Sequence, residues 1–164
     1  MEFNMKIDKV SIIMGSKSDW KTLQLAENIL DEFKIPNEVK IISAHRTPDR
    51  LYRYAKNLNK NNIKVIIAGA GGAAHLPGMV ASLTTIPVLG VPIESKFMNG
   101  LDSLLSIVQM PYGIPTATFA VGESGAKNAA IFAISLLAIS EKKILVKLNK
   151  WRQDLTKAVN ISPK

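Results

Sequence analysis

A serine, a histidine and an arginine stand almost side by side in Ser43-Ala44-His45-Arg46, and the run continues into Thr47-Pro48. A guanidinium forks onto phosphate oxygens and a serine hydroxyl adds a neutral donor, which leaves the imidazole free to move protons. An unperturbed imidazole titrates near about pH 6.5, so one ring can be acid and base within one cycle. The chain's other histidine, His75, follows Gly69-Ala70-Gly71-Gly72-Ala73-Ala74, whose glycines let the backbone approach a flat ligand closely. A third polar group, Gly15-Ser16-Lys17-Ser18-Asp19, offers a glycine, two hydroxyls and backbone amides at a helix start. That combination suits a phosphate, with Asp19 able to accept hydrogen bonds from ribose hydroxyls. It is neither a Walker loop nor a dinucleotide fingerprint, which counts against ATP and NAD. Each group also has a plainer reading. Ser18 or Asp19 could be a helix cap, His45 a structural histidine at a helix start, the glycines a tight turn, and His75 a capping or loop-bracing residue.

The elements that would position these groups alternate. Lys9 to Met14 reads as a strand, and the helix after Asp19 keeps Leu23, Ala26, Leu30 and Phe33 on one face until Ile35-Pro36-Asn37 ends it. Val39-Lys40-Ile41-Ile42 is a second strand, followed by the Ser43 cluster and a helix from Pro48 to about Leu58, with Thr47 placed to cap it and Leu51, Tyr54, Ala55 and Leu58 facing inward. A third strand, Lys64 to Ala68, runs into the Gly69 to Gly78 loop and a short helix from Met79 to Leu83. Val88 to Val91 and Thr116 to Ala120 make strands four and five. Five strands alternating with helices predict an α/β fold, a three-layer doubly wound parallel sheet with a C-terminal helical extension. In such a sheet the carboxyl ends of the strands lie on one edge, so all three polar groups converge there.

With 164 residues and no repeat or linker, residues 1–164 read as a single domain. The absence of cysteine excludes disulfides, thiolate catalysis and thiolate-bound metals. Metal ligation by His45 and His75 would need Asp19 or Asp49 to fall into place by chance, so no metal is expected. The opening Met-Glu-Phe-Asn-Met-Lys has no apolar signal core and no run is long enough for a membrane helix, so the protein is expected to be cytoplasmic with no membrane partner. The net charge of +8 is spread over helix faces and loop ends, densest at Lys142, Lys143, Lys147 and Lys150. It reads as solvated surface and not as a nucleic-acid groove, and it would help attract a phosphorylated metabolite. Gly125 to Ile139 is apolar nearly all round, and a helix from about Lys142 to Val159 carries Ile144, Leu148, Trp151 and Leu155. Such faces must be covered, which predicts a homo-oligomer, the alternative being that the two helices pair within one chain.

Four ordered blocks resemble the PurE family of purine biosynthesis: Val10 to Trp20, Ser43 to Pro48, Ile67 to Met79 and Ser106 to Pro111, within a likeness running from about Lys9 to Trp151. The resemblance implies a flavodoxin-like fold, an octamer, no metal and no organic cofactor. It further implies a mutase acting on the nucleotide N5-carboxyaminoimidazole ribonucleotide (N5-CAIR), moving its carboxylate from the exocyclic nitrogen to ring carbon C4 to give 4-carboxyaminoimidazole ribonucleotide (CAIR). The Ala73-Ala74-His75-Leu76-Pro77-Gly78 stretch looks like that mutase branch and unlike the branch that carboxylates aminoimidazole ribonucleotide with carbon dioxide directly. By resemblance Ser16, Asp19 and Arg46 bind the nucleotide with Ser18 and Ser43 close by, and His45 is catalytic. The third loop adds Ala70, Gly71, Gly72, His75 and Leu76 as substrate-binding candidates. Direct carboxylation, or a noncatalytic nucleotide-binding module that would not need His45, are the competing readings.

Overall fold

A computed structural model describes residues 8–162, so the first six residues read for a targeting signal lie outside it. Five strands form one sheet: β1 (Lys9–Met14), β2 (Asn37–Ile41), β3 (Ile63–Gly71), β4 (Val88–Ile93) and β5 (Ala117–Thr118). All neighbours pair parallel, in the order β2-β1-β3-β4-β5. The helices are α1 (Trp20–Glu32), α2 (Pro48–Asn57), α3 (Leu76–Ala81), α4 (Leu101–Val108), α5 (Glu123–Ala138) and α6 (Lys142–Ala158).

Strand periodicity sorts the core into two layers. Val10, Ile12 and Met14 of β1 point one way, joined by Val65 and Ile67 of β3 and covered by Leu23, Ala26 and Leu30 of α1 and by the alanine face of α5. Ile13 points the other way with Ile66 and Ala68, under Leu51 and Tyr54 of α2, Val80 of α3 and Ile107 of α4. Each fully buried isoleucine or leucine contributes about 1.5–3 kcal/mol relative to exposure, so both layers are needed to hold the sheet. Helices on both faces and this strand order are the flavodoxin-like arrangement, in which the crevice opens where neighbouring strands send their connections to opposite faces. Here β1 leads to α1 on one face while β3 leads to α3 on the other. That divergence is the place a ligand crevice belongs.

Several boundaries differ from the sequence reading. β2 starts at Asn37 and ends before Ile42, and β5 is only two residues long. Gly69, Ala70 and Gly71 are strand and not loop: β3 continues through them because β4 runs on to Ile93 and pairs with it there, Gly69 against Val91 and Gly71 against Ile93. Leu76 and Pro77 begin α3 ahead of Met79, proline being well suited to a helix's first turn. The helix α4 was not foreseen. Thr47 occupies the N-cap position of α2 but makes no capping bond, because its hydroxyl donates back to the Ser43 carbonyl at 2.8 Å.

The helix α5 is covered within the chain on most of its circumference by α1, the sheet and α6, so part of the intramolecular alternative holds. Phe132 and Ile139 remain exposed, and α6 buries only Leu148 fully. The lysines there behave as surface groups, Lys147 donating to the Glu32 carbonyl and Lys150 pairing with Asp154 at 3.0 Å. Among the described residues no helix is long and apolar enough to cross a membrane.

Candidate active site

The carboxyl ends of β1, β2, β3 and β4 enclose an open cleft of ≈ 460 Å³. Gly15, Ser16, Ser18 and Asp19 line it from β1, Ser43 to Arg46 from β2, and Ala70 to Ala73 with Leu76 from β3. Of the sequence candidates only His75 is not on its wall. Ile93, Glu94 and Ser95 after β4 complete the lining and were missed. Their signal was available, since they follow the fourth strand at the same sheet edge. A larger hollow of ≈ 970 Å³ opens at the other end of the sheet, around Ile86 to Leu89, away from the polar groups.

The first loop is built by its own hydrogen bonds. Ser16, not Ser18, is the N-cap of a single 3-10 turn over Lys17–Asp19 that feeds α1, and Asp19 holds the N-cap position of α1 itself without a side-chain capping bond there. Its side chain accepts from the Ser18 amide, while the Asp19 carboxylate accepts from the Ser16 amide at 3.0 Å, a capping box. Ser18 Oγ sits 3.0 Å from Ser16 Oγ and 3.2 Å from Asp19 Oδ1, so its one hydrogen is shared between them.

Asp19 is nearly buried, and that burial raises its pKa above the ordinary 3.8, against the lowering pull of hydrogen bonds from Ser16, Ser18 and Gly15 and of the Arg46 charge. A carboxyl with a raised folded pKa binds more protons folded than unfolded. Its contribution is therefore most favourable below about pH 3.8, the unfolded value, and declines as pH rises through the folded one. Asp19→Asn is expected to raise the melting temperature at pH 7, with the gain shrinking below pH 4, and to weaken nucleotide binding at the same time. Calorimetric scans at both pH values, with and without nucleotide, check this. A lower melting temperature at pH 7 would contradict it.

The second loop locks onto the first. Arg46 Nε donates to Ser43 Oγ at 2.9 Å and Nη2 to the Gly15 carbonyl at 3.2 Å. Two of its five N–H groups are thus spent on holding the guanidinium still, and three remain for an anion. Ser43 accepts with its oxygen, so its hydroxyl hydrogen also remains available.

His45 is exposed at the cleft mouth, its Nε2 lying 2.8 Å from His75 Nδ1 with the rings edge to face at 4.9 Å. His75 stands at the N-cap of α3 without a capping bond, so its polar contact is His45. One proton lies between the two rings, and whichever ring donates fixes the tautomer of the other. In the third loop Ala74 is fully buried in the core, while Gly71, Gly72 and Ala73 face the cleft. Among the described residues no group of three or more His, Asp or Glu is placed to hold a metal ion.

The AIR carboxylase family matches residues 9–158. A protein of Saccharolobus solfataricus named N5-carboxyaminoimidazole ribonucleotide mutase is 60% identical over 147 residues, covering 90% of this chain and 92% of that one. The Escherichia coli protein of the same name is 52% identical over 155 residues, covering 94% and 92%. The crystal structure of Treponema denticola PurE superposes with a TM-score of 0.83 at 26% identity, covering 92% of each chain. A match over nearly the whole length, on a fold and strand order of the same kind, places this chain in the AIR carboxylase family, the PurE family its motifs resemble.

Proposed function

We propose that the protein is an N5-CAIR mutase. The observation that carries this is the convergence of an anion-ready arginine, a ribose-ready carboxylate and an exposed imidazole on one cleft walled by glycine backbone. The family description names a carboxylase, but the relatives at 52–60% identity are named mutases, which favours isomerisation over direct carboxylation.

In the reaction, the bond between the exocyclic nitrogen and its carboxylate breaks and its electron pair stays on nitrogen, which takes up a proton as carbon dioxide departs. Ring carbon C4 then attacks the carbon dioxide and forms the new carbon–carbon bond, and the C4 proton is lost. One proton enters and one leaves, so a single titrating group suffices. His45 is that group, acid in the first half and base in the second. Arg46, Ser43 and Ser16 hold the phosphate and Asp19 the ribose, remote from the bond changes, so that their binding energy goes into positioning. Gly71, Gly72 and Ala73 wall the space in which carbon dioxide waits. Neither a metal nor an organic cofactor is required by this scheme.

We also read the protein as a homo-oligomer, with an octamer as the form the resemblance implies. Leu101, Leu105 and Val108 form an exposed apolar stripe on α4, flanked by Phe97 and Tyr112, and a second chain would cover it. Mass in solution by light scattering tests this, and a monomer at working concentration would refute it.

The experiment for the activity is CAIR formation from N5-CAIR by the purified protein, followed in ultraviolet light without ATP or added metal. Turnover is expected. A folded, nucleotide-binding protein that forms CAIR only from aminoimidazole ribonucleotide and bicarbonate would be the direct carboxylase instead, and one that forms none would be a binding module.

A further inference from the structure

The helix α4 reaches the cleft wall without lining it. Ser103 is fully buried, with its Oγ 2.6 Å from the Ile93 carbonyl oxygen and 2.9 Å from the Gly72 amide nitrogen. A carbonyl only accepts, so the Ser103 hydroxyl donates to Ile93 and the Gly72 N–H donates to Ser103. Both bonds therefore have one possible direction. One turn further on, Ser106 Oγ lies 3.2 Å from the Gly72 carbonyl oxygen and 2.7 Å from the carbonyl of Asp102 in its own helix. A single hydroxyl hydrogen serves these two acceptors, so the hold of Ser106 on Gly72 is the looser one.

Gly72 has a left-handed φ of +68°, and nothing lies within 4 Å of where a Cβ would stand. Packing does not impose that conformation. What holds it is the grip on its N–H and C=O, together with the Ala74 amide, which donates to the Gly72 carbonyl at 2.8 Å. The grip is itself braced: Asp102 accepts from the Ser103 amide at 3.0 Å and from the Ser95 hydroxyl, and Ser95 lines the cleft. One helical turn thus ties the loops after β3 and β4 together.

We propose that Ser103, assisted by Ser106, is a positioning residue that keeps carbon dioxide beside the ring by fixing Gly72 and with it the Gly71–Ala74 turn. This rests on the mutase reading. Neither serine touches the substrate, and both act through Gly72. Where the turn loosens, carbon dioxide escapes after the first half-reaction. The nitrogen has by then lost its carboxylate and gained a proton, so the nucleotide leaves as aminoimidazole ribonucleotide. The enzyme becomes a partial decarboxylase.

The test compares the full-length parent with Ser103→Ala, Ser106→Ala and Ser106→Thr, all supplied with N5-CAIR. The readouts are kcat, KM and the ratio of aminoimidazole ribonucleotide to CAIR formed, corrected with an enzyme-free blank. Ser103→Ala is expected to raise that ratio about tenfold and Ser106→Ala about threefold, consistent with the loss of one firm and one shared hydrogen bond. KM should stay near the parent's, because the phosphate and ribose loops are untouched, and Ser106→Thr should restore the parent's ratio. An unchanged ratio in folded Ser103→Ala overturns the proposal, as does a fall in rate without a change in ratio, which is what a purely structural role would give. Should Ser103→Ala fail to fold, the Ser106 variants decide, and equal ratios in Ser106→Ala and the parent overturn it. A parent that forms no CAIR defeats the mutase reading itself, an outcome separate from a parent that forms it and variants that do not leak.

Discussion

His45→Asn is expected to lower kcat for CAIR formation by about 10³-fold while nucleotide affinity stays within about threefold. The asymmetry follows from where the ring stands. His45 lies at the cleft mouth, and its polar partner is His75, not the Arg46 and Ser43 pair proposed to hold the phosphate. An asparagine is polar and of similar reach, so the loop need not move, but its amide neither gives up nor takes a proton near neutral pH. Both half-reactions would then depend on solvent. The hydrogen bond to His75 sharpens the argument. Nε2 is engaged by His75, so His45 presents Nδ1 to a substrate: Nδ1 has a lone pair when Nε2 carries the shared proton and carries hydrogen when His75 donates, and passing between the two takes a proton gained or lost at Nδ1 together with the shift. Rate measurements beside calorimetric titration of the nucleotide check this. More than a tenth of the parent's turnover in His45→Asn would remove His45 from proton transfer.

What the sequence made legible is what short-range pattern encodes. The apolar run from Val10 to Met14 and the stripe of Leu23, Ala26, Leu30 and Phe33 are each buried as their patterns demand, the strand on both faces and the helix on one. Five strands alternating with helices then give the parallel sheet, and with it the convergence of three loops on one edge. What escaped depends on contacts between distant segments. The helix α4 was invisible as such because Leu101, Leu104, Leu105, Ile107 and Val108 leave no clean polar face, and much of that apolar surface is exposed in the single chain. The glycines after Ala68 read as a loop because glycine is a poor strand former; they are strand only because β4 lies alongside to pair with them. Nor does spacing show that a serine far along the chain grips Gly72, or that His75 turns to His45 and away from the cleft wall. Those are tertiary facts. The capping box shows the reverse case: Ser16 and Asp19 stand three residues apart with the right chemistry, and the first hydroxyl was overlooked in favour of the second.

Arg46→Ala is expected to weaken nucleotide binding about 100-fold, about 2.7 kcal/mol, with kcat at saturation falling far less. Three N–H groups of the guanidinium are unspent, and charge-assisted bonds from them to phosphate oxygens are the strong kind. Lys at this position should recover only part of the loss, since a point charge cannot keep the bonds to Ser43 and Gly15 while also forking onto an anion. Arg46 is exposed, so what folding stability goes with it is that of its two bonds to Ser43 and Gly15, and a melting scan of Arg46→Ala beside the titration keeps that apart from the binding loss. A second consequence separates this arginine from a mere surface charge. Arg46 is one of the groups pulling the Asp19 pKa down against burial, so without it the Asp19 carboxyl moves further up. Binding that needs ionised Asp19 should then weaken at a higher pH in Arg46→Ala than in the parent as acid is added. Titrations across mildly acidic pH read both effects at once. Parent-like affinity would take Arg46 out of the site, and weakened binding with an unshifted acid limb would leave it as an anion ligand that does not tune Asp19.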